Sequence, residues 1–198
     1  MFQFSSEMLQ KSMSMDDYKS LTKSLVDEKS TTGDNKSDFM VEYTALNWKR
    51  MQRIEKTVNI IPEVQQVFKD LNQKMTWLVL TEPWCGDAAH SVPVLFKLSE
   101  LSSNISFKLM LRDENLEIMD HFLTNGGRAI PKLLILNEAN EVIKTWGPRP
   151  QKIQNLVLEL KAKGVEKNDM LEQIQLAYHH DKYLSIQEEF LQIMSPLR

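Results

Sequence analysis

Met75-Thr76-Trp77-Leu78-Val79-Leu80-Thr81-Glu82-Pro83-Trp84-Cys85-Gly86-Asp87-Ala88 is the stretch whose reading decides the fold. Residues 75–81 are nearly continuously apolar, the mark of a strand buried on both faces. A helical pattern follows from about Asp87 to Leu101, with Val92, Leu95, Phe96, Leu98 and Leu101 turned inward. Cys85, the one cysteine of the chain, stands where strand passes into helix. A helix start presents unpaired N–H groups and partial positive charge, and both favour a thiolate. Position 88, where a redox pair would hold its second sulfur, is Ala88.

The same reading extends outward along the chain. Ser14 caps a first helix with Asp16 and Asp17 in its opening turn. A second helical pattern covers about Phe39 to Glu55, and Pro62 opens a third. After the Cys85 helix, which holds Pro93, a second strand spans Ile105 to Leu111. A short helix then runs to Thr124, stopped by Asn125-Gly126-Gly127. Ile130-Pro131 starts a strand ending at Leu136, with its proline where a ladder donor is spared. A hairpin link, 137–140, leads to a strand over Glu141–Trp146, which Gly147-Pro148-Arg149-Pro150 ends. A helix carrying Ile153, Leu156, Val157 and Leu160 closes the unit, and the tail from Val165 reads as helical. The order β-α-β-α-β-β-α is an α/β architecture with a mixed sheet.

Composition narrows the function. The 198 residues carry a net charge of −3 without a clustered basic face, so a nucleic-acid partner is not expected. No stretch is long enough to span a bilayer, and the N-terminus lacks the basic and apolar regions of a signal peptide. A single cysteine excludes an internal disulfide framework and fits a reducing, cytoplasmic setting. His90 and His121 read as surface histidines. Adjacent His179 and His180 point apart on a helix and lack zinc-site spacing, so no metal is expected. Arg128 and Lys132, flanking Pro131, read as solvated charge.

Four features coincide in order: Trp84-Cys85-Gly86 between strand and helix, Pro93 inside that helix, Ile130-Pro131 at a later strand start, and a hairpin followed by Gly147. Over roughly residues 57–163 the chain resembles the thioredoxin family, whose pattern is Trp-Cys-Gly-Pro-Cys, a helix-kinking proline, and a cis-proline opposite the cysteine. The resemblance implies a thioredoxin-like mixed sheet flanked by helices. Residues 1–56 form an N-terminal helical extension, and 164–198 a C-terminal one packing on the core. It also implies that Cys85 is the nucleophile. Trp84, Ile130 and Pro131 form the substrate ledge, Gly86 permits the tight helix entry, and Asp87 and Ala88 complete the motif.

Three departures shape the expected chemistry. Ala88 removes the resolving thiol. Val79 occupies the place of the family's usual buried acid. Asp87 replaces the motif proline and repels a neighbouring thiolate. The helix start and Asp87 then oppose each other, giving an expected thiol pKa of about 7–8.5. A partly exposed sulfur without a partner predicts monothiol exchange with a protein or small-thiol disulfide, resolved by an external thiol such as glutathione, and no other cofactor. The competing reading is a non-catalytic peptide- or protein-binding module using the same ledge. In a third, the terminal helices cover Trp84 and the motif is structural.

Overall fold

The structure, a computed structural model, describes residues 2–197. Fourteen segments of regular structure occur among these residues. They begin with α1 (Ser6–Gln10), α2 (Met15–Asp27), α3 (Asp38–Thr57) and α4 (Pro62–Lys69). Strand β1 (Met75–Thr81), α5 (Gly86–Ser99), β2 (Ile105–Leu111) and α6 (Leu116–Met119) follow. The chain ends with β3 (Lys132–Leu136), β4 (Val142–Trp146), α7 (Gln151–Ala162), α8 (Lys167–Asp181), α9 (Leu184–Met194) and a 3₁₀ turn at Ser195–Leu197.

The sheet order is β2-β1-β3-β4. β1 runs parallel to β2, with Val79 opposite Leu109, and antiparallel to β3, with Val79 opposite Leu133. That central place explains its unbroken apolar reading, because β1 is covered on both faces. Trp77 is fully buried, with its ring 5.8 Å from Phe68 of α4 and 5.0 Å from Phe190 of α9. Removing a side chain of that size from such a core costs about 3–5 kcal/mol. The hairpin joining β3 to β4 turns on Asn137, whose side-chain oxygen accepts from the N–H groups of Ala139 and Glu141.

Both flanking segments share this core. Ser14 caps α2 in a reciprocal box with Asp17, as its sequence implies. In α3 the buried stripe is Thr44, Asn47, Met51 and Ile54, while Leu46 is 43% exposed. Asn47 is drawn in because its amide donates to the Pro83 carbonyl at 2.9 Å, beside the cysteine turn. The expected helical tail is two helices. Lys182 and Tyr183 both adopt left-handed backbone conformations (φ 51° and 63°) and reverse the chain between α8 and α9. Asp181 holds the reversal. Its carboxylate accepts from the backbone and hydroxyl of Ser185 at 3.0 and 2.7 Å, and from Lys152 at 2.8 Å.

The N-terminus reaches both outer strands. Met13 exchanges two backbone hydrogen bonds with Leu109 of β2, at 2.8 and 2.9 Å. Near β4, Phe4 N–H donates to Asn140, and Val142 N–H donates to Phe2, both at 2.9 Å.

Candidate functional site

Cys85 is the N-cap of α5, set there by a turn in which its N–H donates to the Glu82 carbonyl at 3.0 Å. Its sulfur accepts from Ala88 N–H at 3.5 Å, and its S–H donates to the Ile130 carbonyl at 3.3 Å. The Ile130–Pro131 peptide is cis, and both residues are buried. The cysteine and this peptide, 45 positions apart in sequence, therefore meet at one point.

The expected partial exposure of the thiol is corrected: Cys85 is 8% exposed. Burial, and then the Asp87 charge, push the thiol up to about 12, well beyond the expected 7–8.5. The Ala88 and Asp87 N–H groups and the Arg149 charge pull the other way and lose. The reason is packing that a local reading of strand and helix does not contain. The Tyr43 ring lies 3.2 Å from where a β-carbon on Gly86 would stand, and the Gln175 amide 3.4 Å. Thus α3 and α8 both close on the motif glycine. Tyr18 of α2 is buried nearby, and burial pushes its phenol well up.

Trp84 is partly buried, with the Arg112 guanidinium 4.9 Å from its ring centroid. Gly33, at φ +74°, backs onto its indole nitrogen, so the segment around Thr31–Gly33 lies against it. Pro131 faces Gly147, where a β-carbon would come 2.2 Å from the Pro131 carbonyl oxygen. The residues expected to form an open ledge therefore sit together but are largely enclosed.

Asp87 is a hub. Its Oδ2 accepts from Arg149, through Nε at 3.1 Å and through Nη2, and its Oδ1 accepts from the Tyr178 hydroxyl at 2.9 Å. Arg149 comes from the Gly147–Pro150 loop and Tyr178 from α8. Ala88 is 2% exposed. The helix-start carboxylate therefore ties three separate elements together in a half-dry site, where pairing is needed to offset lost hydration.

Two residues differ from their sequence reading. His90 is not on the surface: it is 1% exposed, stacks on Tyr178 with centroids 4.4 Å apart, and contacts Tyr183 and Gln175. Burial pulls its imidazole down to about 4, so it is neutral. Lys132 is 7% exposed and donates to Thr124 at 3.0 Å, whereas Arg128 is exposed and pairs with Asp120. Glu82 was not singled out by sequence. It is fully buried, accepts from Asp113 N–H at 2.8 Å and from the Thr32 hydroxyl, and burial raises its carboxyl to about 7. With Val79 apolar, the buried acid of this region comes three residues before the cysteine instead of six. Its only sequence signal is a glutamate continuing an apolar strand. Arg149 had a similarly thin signal, a lone arginine between prolines. His121 and the His179–His180 pair are exposed, and no group of three or more metal-ligating side chains occurs among the described residues. No described helix is long and apolar enough to cross a membrane.

Comparison with known proteins agrees with this geometry. No curated protein matches the chain. A crystal structure of a protein of unknown function from Pseudomonas aeruginosa superposes with a TM-score of 0.60 at 19% identity, covering 78% of this chain and 87% of that one. An HIV epitope-scaffold superposes with a TM-score of 0.59 at 17% identity, covering 88% and 97%. At such identities the likeness is one of fold. The family model described as thioredoxin matches residues 33–169, well over half the chain. That match takes in the strand-to-helix cysteine, the Ile130–Pro131 turn and the closing hairpin, and this chain belongs to the thioredoxin family.

Proposed function

We propose that this protein is a binding module built on the thioredoxin fold, in which Cys85 does not turn over disulfides in the resting conformation. One observation carries the reading: the Cys85 S–H is spent on the Ile130 carbonyl in a site where burial holds the thiol up to about 12. At neutral pH such a buried thiol stays protonated, and the thiolate is the nucleophile. The backbone beside the cis-proline is the part that an extended substrate pairs with in the family. Here its carbonyl already has a donor. The chain also holds no second cysteine to release a captured partner.

A specific observation favours a second reading, single-thiol exchange. The Cys85 sulfur sits at the N-cap of α5 and receives the Ala88 N–H, which stabilises a thiolate once the site opens. In that reading the thiolate attacks a disulfide sulfur, the S–S bond breaks, and one thiolate leaves. An external thiol such as glutathione then attacks the mixed disulfide and releases Cys85 as a thiolate. Reduction of a small disulfide, with and without glutathione, separates the two readings when wild type is run beside Cys85→Ser. Equal rates support the binding module. A glutathione-dependent rate present only in wild type overturns it in favour of exchange.

A further inference from the structure

Beside the thiol site, α3 and α8 leave an open cleft of about 500 Å³. Phe39, Tyr43, Arg50 and Arg53 line it from α3, and Leu171, Gln175 and His179 from α8, at the spacing that puts each set on one helix face. An adjoining cavity of about 590 Å³ shares Arg53 and His179 and adds Lys182. The two therefore run together over the Arg53 side chain.

The charges in this trough are unbalanced. Arg50 donates to the Asn47 side-chain oxygen at 2.9 Å and lies 5.4 Å from the Tyr43 ring centroid. Arg53 pairs with the Tyr183 hydroxyl. Among the described residues neither guanidinium has a carboxylate partner. Among the described residues Glu172 is the one acid lining either cavity, against Arg50, Arg53 and Lys182. This excess of positive charge occurs on a chain whose net charge is −3, so it is local.

The floor of the cleft is an ordered polar chain. With its proton on Nε2, His90 donates to Gln175 at 2.6 Å and accepts from the Tyr183 hydroxyl at 3.3 Å. At the mouth two large apolar side chains face solvent: Phe39, 47% exposed and stacked at 5.2 Å on Tyr43, and Leu176, also 47% exposed. Exposed apolar side chains beside fixed guanidiniums with donors to spare fit one chemistry. The head group is a carboxylate or phosphate, which guanidinium binds through paired N–H donors, and the body is flat and apolar.

We infer that the α3–α8 cleft is a binding site for a small organic anion, its head on Arg50 and Arg53 and its apolar body across Phe39, Tyr43 and Leu176. The cleft shares Tyr43 and Gln175 with the packing over Gly86 but is not lined by Cys85, and the inference stands whichever way Cys85 behaves.

Calorimetric titration of the full chain with 2-naphthyl phosphate, 2-naphthoate, 2-naphthol and inorganic phosphate tests it. At least one of the two naphthyl anions is expected to bind about tenfold or more tightly than both naphthol and inorganic phosphate, because charge and apolar body are both needed. Which anion binds tighter separates a phosphate from a carboxylate ligand. The Arg50→Gln/Arg53→Gln variant is expected to lose about tenfold or more. So is Leu176→Glu, which places a repelling charge at an exposed mouth position and spares the core. Far-ultraviolet circular dichroism establishes that each variant is folded. The inference is overturned by naphthol binding as tightly as its anions, by no detectable binding of either anion, or by anion binding unchanged in folded Leu176→Glu.

Discussion

Replacing Glu82 by glutamine is expected to uncover a pH dependence that two buried groups hide from each other. Burial raises the Glu82 carboxyl from 4.5 to about 7, so the folded chain holds this proton more tightly than the unfolded chain. Its contribution to stability is therefore full below pH 4.5 and is lost as pH rises through about 7. Burial lowers His90 from 6.5 to about 4, so its contribution is full above pH 6.5 and is lost as pH falls through about 4. Each displacement is worth about 3 kcal/mol at most. Between about pH 4.5 and 6.5 the two slopes are opposite and nearly equal, so they cancel. Glutamine can still accept the Asp113 N–H, and its amide can donate to the Thr32 hydroxyl. Glu82→Gln therefore removes one slope without emptying the site. Urea unfolding, followed by tryptophan fluorescence from about pH 4.5 to 7.5, measures variant and wild type side by side. The stability of the variant minus that of wild type should climb with pH by up to about 3 kcal/mol. His90→Gln should give the mirror image, a difference that falls as pH rises. A Glu82→Gln difference flat to within about 0.5 kcal/mol, or one that falls with pH, refutes the reasoning.

Asp87→Asn removes the charge that, after burial, most raises the Cys85 thiol, and it frees Arg149 to act on the sulfur alone. Alkylation of Cys85 by iodoacetamide at fixed pH should therefore speed up, and a slower rate contradicts the electrostatic account. Wild-type Cys85 itself should react with an aromatic disulfide reagent about 100-fold or more slowly than a free cysteine, since its thiolate is scarce and buried. A rate near the free value would show that the site opens readily. Gly147→Ala should cost about 3 kcal/mol or more by thermal unfolding, because the new methyl meets the Pro131 carbonyl at 2.2 Å and φ is +108°. Asp181→Ala leaves the α8–α9 reversal uncapped and should cost about 1–3 kcal/mol in the same measurement.

The sheet was legible because its strongest signals are local. Residues 75–81 and 105–111 read as strands, and both are strands over those bounds. The Ser14 cap and the Pro62 start likewise need only their neighbours. The meeting of Cys85 with Ile130 followed from the family pattern and not from periodicity. The electrical state of the site was not legible. It depends on Tyr43, Arg149, Gln175 and Tyr178, which approach from three other places in the chain: α3, the Gly147–Pro150 loop and α8. His90 failed for the same reason. Its spacing from Cys85 correctly separates the two, but the reading left no room for α8 and Tyr183 to cover the far side of α5. Leu46 and Asn47 show the converse: an apolar residue left in water because the neighbouring amide has a carbonyl to satisfy.

The backbone bonds of Met13 to Leu109, and of Phe2 and Phe4 around the β4 turn, give the first residues a protective duty. A β-sheet ends in strands whose spare amides invite recruitment by another copy of the same molecule, and that is how ordered aggregates begin. One short run of chain guards parts of both margins at once. Clipping it would leave much of the core in place while opening two templates for self-association, so proteolytic trimming threatens solubility more than folding.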